Sequence, residues 1–147
     1  MIADRGIRIA ERKERSLRVA ETVMSDEDFR RRTFEFGIRV ILLVESLPKT
    51  DGARVIGKQL LRCATAVGAN YRAAACARSR ADFIAKMGIV EEECDESLYW
   101  LKMLVDLRLI SSSRSKNLRD EANEILSIVV ASIETARRQI KQPARYS

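Results

Sequence analysis

Between residues 25 and 142 the apolar positions of the chain return every three or four residues, in four runs separated by short polar or proline-bearing breaks. That spacing marks one face of a 3.6-residue helix. The first run is Phe29, Phe34, Ile38, Ile41, Val44 and Leu47. Ser25-Asp-Glu-Asp28 precedes it with an N-cap candidate and acids for the first turn, and Pro48 ends it. A helix over about 26–47 follows, with Thr50-Asp51-Gly52 read as a turn. The second run, Ile56, Leu60, Cys63, Val67, Asn70 and Ala74, steps four and three alternately, a heptad seam on a helix from about Ala53 to Ala77. Small residues (Ala64, Ala66, Gly68, Ala69, Ala73, Ala75) crowd that helix and would let a neighbouring backbone approach closely.

Arg78-Ser79-Arg80 breaks the pattern, and Ser79 with Asp82 forms an acidic variant of the capping box. A third helix then runs to about Ile110 on the seam Phe83, Met87, Val90, Cys94, Ser97, Leu101 and Leu104. The three serines 111–113 form the next connection. A fourth helix spans about Ser115 to Gln142, with Leu118, Ala122, Ile125, Ile128 or Val129, Ser132, Ile133 and Ile140 on its apolar side and Pro143 as its stop. Short connections force successive helices to run antiparallel. The expected fold is therefore all-α, an antiparallel up-down-up-down four-helix bundle over residues 25–142. Residues 1–24 mix charges with scattered aliphatics and read as an N-terminal helical or disordered extension, and 143–147 as a C-terminal tail. No internal repeat is visible.

Composition narrows the function. At 147 residues the chain suits one domain with a real core. No apolar run approaches the roughly 18 residues that span a bilayer, and the charged N-terminus has no secretory apolar stretch. Three cysteines, Cys63, Cys76 and Cys94, without CxxC spacing read as reduced thiols, so a cytoplasmic location is expected. The chain has no histidine. That removes the commonest general base, nucleophile activator and metal ligand together. Neither a P-loop nor a GxGxxG occurs. The acidic run Glu91–Glu96 lacks the histidine three residues on that helical di-metal sites use. No catalytic residue, metal or cofactor is expected, and a solvated or inter-subunit acidic face is the better reading of that run.

Charge changes the picture most. The net charge is +6. From Arg54 to Lys86 seven basic residues face one acid, whereas Met87 to Ile110 holds six acids against Lys102 and Arg108. Arg54, Lys58 and Arg62 stand at i+4 steps on the second helix. With Arg72, Arg78 and Arg80 they are candidates for contact with the phosphates of RNA or DNA. The competing reading is complementarity between copies of the chain, positive face against negative. A solvated face with no partner is the third. Exposed aromatic pairs that would stack on single strands are missing from the pattern; Tyr71, Tyr99 and Trp100 read as packing residues. Asn70 on the second seam, with Gln59 beside it, reads as a register-setting contact to a neighbouring helix.

These residues also resemble a known family. The runs Gln59-Leu-Leu-Arg62-Cys-Ala-Thr-Ala-Val67-Gly-Ala-Asn70-Tyr-Arg-Ala-Ala, Arg78-Ser-Arg-Ala-Asp82-Phe83 and Glu92-Glu-Cys-Asp-Glu96-Ser-Leu-Tyr-Trp-Leu101 are similar to the bacterial four helix bundle family, also called the 23S ribosomal RNA intervening-sequence protein family. The resemblance covers roughly residues 29–137. Ala74-Ala75 and Glu92-Glu93 depart from common variants of the family, so no role tied to those positions is carried over. The resemblance implies a four-helix bundle assembling into a homopentamer, without known catalytic residues. A related branch serves reverse transcriptases as an accessory subunit that contacts nucleic acid. The chain is thus expected to be a non-enzymatic homo-oligomeric scaffold that binds RNA or DNA through Arg54, Lys58, Arg62 and neighbouring basic residues. Gln59, Asn70, Glu93, Glu96 and Tyr99 would serve helix or subunit packing. The alternative is a protein-interaction module, or an accessory subunit with a partner such as a reverse transcriptase, whose charged faces serve only assembly.

Overall fold

The computed structural model describes residues 24–142, so the expectation for the N-terminal extension falls, Met24 apart, outside the described residues, as does the tail 143–147. Four helices run in order: α1 (Asp26–Glu45), α2 (Asp51–Ala75), α3 (Arg80–Asp106) and α4 (Ser112–Lys141). Each starts on a hydroxyl that accepts an otherwise orphaned backbone N–H: Ser25 from Asp28, Thr50 from Ala53, Ser79 from Asp82 and Ser111 from Arg114. The Asp82 carboxylate reaches back to the Arg78 N–H at 3.2 Å, one residue beyond the N-cap itself.

Two segments read as connections are therefore helix starts. Thr50-Asp51-Gly52 caps and opens α2, and the three serines cap and open α4. The third helix ends at Asp106 rather than Ile110. Arg108 adopts a left-handed backbone at φ 57°, with Leu109 N–H bonded to Leu104 O and Arg108 N–H to Val105 O. Those two bonds make a Schellman stop, which propensity at the flanking leucines does not reveal.

Successive helices pack side by side, and α1 closes the ring against α4 in the sparsest of the four contacts. The seams of α2 and α3 bury nearly as the spacing predicts: Ile56, Leu60, Cys63, Val67 and Ala74 on one, Met87, Val90, Cys94, Ser97, Leu101 and Leu104 on the other. Burying each of the larger of these side chains is worth roughly 1.5–3 kcal/mol. Buried hydroxyls and thiols are satisfied locally. Ser97 Oγ donates to Glu93 O at 2.8 Å, Thr33 Oγ1 to Phe29 O at 3.0 Å, and Cys94 Sγ lies 3.2 Å from Ala122 O. Burial raises the Cys63 thiol above its ordinary range, which makes it a core residue rather than a nucleophile.

On α1 the predicted apolar side is right at Phe29 and wrong at Phe34 and Ile38. The buried face is Phe29, Thr33, Phe36, Gly37, Val40 and Leu43. Phe34 and Ile38 point outward, and Ile41, Val44 and Leu47 are half-buried. The helix is apolar on two faces, and periodicity alone does not say which one meets the core. On α4, Ile140 is likewise exposed, while Leu118, Ala122, Ile125, Val129 and Ile133 are buried. Among the described residues no helix is long and apolar enough to cross a membrane.

Candidate functional site

The second face of α1 is the largest departure from a self-sufficient bundle. Phe34, Ile38 and Leu42 stand at i+4 steps and are 66%, 43% and 62% exposed. Beside them α2 contributes Thr65, Gly68 and Ala69, and the two helices enclose a groove of about 270 Å³ with Arg30 and Arg72 also lining it. The groove exists because α1 and α2 come very close. A Cβ on Gly68 would sit 3.3 Å from the Thr33 carbonyl carbon and oxygen, and one on Gly37 3.7 Å from Ala64 O. Apolar area gathered in this way on a surface marks an interaction site.

The basic candidates do not form one face. Arg54 and Lys58 lie in the first turns of α2, beside Val44, Glu45 and Lys49. Arg72, Arg78 and Arg80 lie at the other end of the bundle, roughly 30 Å away at about 1.5 Å per helical residue. There Arg80 Nη1 donates to Gln139 O at 3.3 Å, beside the basic last turn of α4, which carries Arg138 and Lys141. Cations at a helix C-terminus answer its dipole and need no ligand.

Arg62 belongs to neither end. Its guanidinium is held by Glu96 and by Glu93, the latter at 3.2 Å, so it bridges α2 to α3. Hydrogen bonding to Arg62 is the main cause that pulls the Glu96 carboxyl below its ordinary range; a donor bond from Trp100 Nε1 at 3.2 Å adds to it. The opposite charges of the second and third helices therefore meet, at this point, inside one chain. Gln59 Oε1 accepts from Arg62 Nε at 3.3 Å and extends the same network.

Two packing expectations need correction. Asn70 Nδ2 donates to Ala66 O of its own helix at 2.9 Å, so within the chain it sets no register with a neighbour. Tyr71 takes the buried position next to it and packs edge-on against Phe29, ring centroids 4.5 Å apart. Tyr99 is 57% exposed and does not pack in the core.

A second basic surface was missed in the sequence because its members are far apart along the chain. The α1–α2 and α3–α4 connections lie at the same end of the bundle, joined by Arg114 Nη2, which donates to Ser46 Oγ at 2.8 Å. That end gathers Lys49 and Arg54 from one connection and Arg108, Arg114, Lys116 and Arg119 from the other. Acids near it are Glu45, Asp51, Asp106 and Asp120. The signal available beforehand was the absence of any acid in the first turn of α4, where the other helices carry one.

Among the described residues no group of three or more His, Cys, Asp or Glu is placed to hold a metal ion. None of the three cysteines forms a disulfide among the described residues, and of the three Cys76 is exposed.

Comparison with known proteins agrees with the geometry. The family model described as 23S rRNA-intervening sequence protein matches residues 25–131. A solved structure from Bacteroides thetaiotaomicron, described as a protein of unknown function from the S23 ribosomal protein family, superposes with a TM-score of 0.70 at 33% identity. The match covers 76% of this chain and 99% of that one. No protein of curated function matches the chain.

Proposed function

The chain belongs to the 23S rRNA-intervening sequence protein family, and from that premise we propose that it is a non-enzymatic, homo-oligomeric helical scaffold that holds RNA or DNA against its basic end. The observation that carries the reading is the exposed apolar row Phe34, Ile38 and Leu42 beside the small-residue surface of α2. A lone four-helix bundle gains nothing from three large apolar side chains in water, whereas a contact between copies buries them and excludes water from the groove. The exposed, small Ala69 beside the row would admit a neighbouring helix closely.

The nucleic-acid half of the reading is supported by the basic end. Lys49, Arg54, Arg108 and Arg114 converge there from two connections, and repetition of that end around an assembly would multiply the attraction for a phosphate backbone. Arg62 is not part of this surface, because Glu93 and Glu96 already hold it.

Sedimentation of the purified chain tests the first half. The native protein should travel as a multi-subunit species, and Leu42→Glu should yield a folded monomer. A native protein that stays monomeric at micromolar concentration refutes the scaffold. Retention of mixed-sequence RNA at low and high salt tests the second half. Binding should fall with salt and weaken in Lys49→Glu/Arg54→Glu; salt-independent binding, or none, refutes it.

A further inference from the structure

Between α3 and α4 runs an open groove of about 830 Å³, the largest of the grooves described here, which Lys116 and Arg119 join to the basic end. We infer that this groove is a binding track for single-stranded nucleic acid, in which a base stacks on Tyr99 and the backbone phosphates lie against Lys102, Lys116 and Arg119. The inference rests on the nucleic-acid half of the reading above and names where on the chain an unpaired strand would lie.

Three observations carry it. First, Tyr99 lines the groove and is more than half exposed, although nothing in the bundle needs a bare aromatic there. Its ring is held edge-to-face on Trp100, centroids 4.9 Å apart at 79°, and Trp100 is itself fixed to Glu96. The ring is thus preorganised while remaining accessible, which is what a stacking platform requires.

Second, the cations stand in rows. On α4 the lining positions Ser112, Lys116, Arg119 and Asn123 step by four, three and four, so they share one face. That row is about 16 Å long at about 1.5 Å per residue. Lys102 faces it from α3, one turn beyond Tyr99. Among the described residues Lys102 and Lys116 pair with Asp106 and Asp120, at 3.0 and 2.7 Å, in exposed i,i+4 pairs. Such pairs are worth little in water, so a phosphate can displace either carboxylate. Arg119 is fixed through Nη2 to Ser112 O and Oγ, while its Nε is shielded from solvent and has no hydrogen-bond partner among the described residues.

Third, Ser112 in the first turn of α4 lines the groove, two residues from Arg114 and four from Arg108 along the chain, so a strand drawn to the basic end would meet it. Two acids also line the groove: Asp120, the partner of Lys116, and Asp95, one turn before Tyr99, which needs its own account. A carboxylate beside a stacked base accepts from an exocyclic amine, as cytosine offers, whereas it only repels a phosphate. A duplex hides its base faces, so the exposed ring selects an unpaired strand.

Trp100 is the only tryptophan and sits against Tyr99, so the test has a built-in local probe. A short oligodeoxycytidylate should quench Trp100 fluorescence, with an affinity by labelled-strand anisotropy that falls as salt rises. Tyr99→Ala should weaken binding about 10-fold, within the range measured for loss of one base–aromatic stack. Tyr99→Phe should bind like the native chain. Lys102→Gln/Lys116→Gln, at exposed positions that leave the fold intact by circular dichroism, should weaken binding and flatten its salt dependence. If these variants bind normally while Lys49→Glu/Arg54→Glu does not, the groove is refuted and the basic end stands. If no strand binds even at low salt, both fall. Equal affinity for a duplex, or for polyglutamate with the same sensitivity at Tyr99, refutes the single-strand assignment.

Discussion

The Tyr71 hydroxyl donates to Asp26 Oδ1 at 2.6 Å, and that bond ties the last turns of α2 to the first turn of α1. Burial, with the Asp26 contact second, raises the Tyr71 phenol well above its ordinary range, so the hydroxyl is a donor at neutral pH. The same carboxylate lies 2.8 Å from Arg30 Nε as an ion pair; the angle does not make it a directed hydrogen bond. Tyr71→Phe keeps the ring against Phe29 and removes only the hydroxyl. It should lower stability by about 1–2 kcal/mol, the range for a hydrogen bond to a charged group whose acceptor can rehydrate. Urea unfolding of the variant beside the native chain measures it.

Two glycines in helices should respond in opposite directions. A Cβ at Gly88, within α3, meets nothing within 4 Å, so Gly88→Ala should gain about 0.5–1 kcal/mol from helix propensity alone. A Cβ at Gly68 would already press on the Thr33 backbone at 3.3 Å, and the further methyls of valine must push α1 away. Gly68→Val should cost about 1–3 kcal/mol. Denaturant midpoints compared at a common slope test both.

Arg108 holds a left-handed conformation that L-residues other than Asn and Asp seldom adopt. Arg108→Gly removes that strain while keeping the Schellman stop of α3. The melting temperature should rise, corresponding to a gain of about 1 kcal/mol. A fall would mean that the arginine side chain holds the turn.

Glu96 sets a pH dependence. Its carboxyl is held below the ordinary range chiefly by the Arg62 hydrogen bond. The unfolded chain therefore binds a proton at higher pH than the folded one. The stabilisation is complete above the unfolded value of about 4.3 and is lost as pH falls through the folded value. The stability difference between the native chain and Glu96→Gln should be constant near neutrality, begin to shrink as pH falls through the unfolded value of about 4.3, and vanish only below the lower folded value. Both residues of the pair are partly exposed, so added salt should shrink the difference as well.

Much of the fold was legible beforehand for a simple reason. The heptad steps through Leu60, Cys63 and Val67 and through Met87, Val90 and Cys94 have one apolar side each, so only one orientation buries them. The α1 sequence offers two apolar sides, Phe36-Val40-Leu43 and Phe34-Ile38-Leu42. Local pattern cannot rank them, because the ranking depends on which face can reach Ala64 and Thr65 through Gly37 and Gly68. Tyr99 stands on the side of α3 away from the Cys94-Ser97-Leu101 seam, and the placement of α4 leaves it at a groove rim.

Charge was legible as a quantity and misleading as a location. The basic residues from Arg54 to Arg80 are close in sequence, but a straight helix of 25 residues spreads its ends about 36 Å apart. Arg114 and Lys49 are far apart in sequence, and the antiparallel turns bring their connections together through Ser46. Helical periodicity and hydroxyl caps are local properties, encoded within a few residues, and they specified four helices with the seams of α2 and α3. Which face of α1 is left bare, which cations share an end and which carboxylates hold Arg62 depend on contacts between residues dozens of positions apart. Packing the four helices against one another decided those.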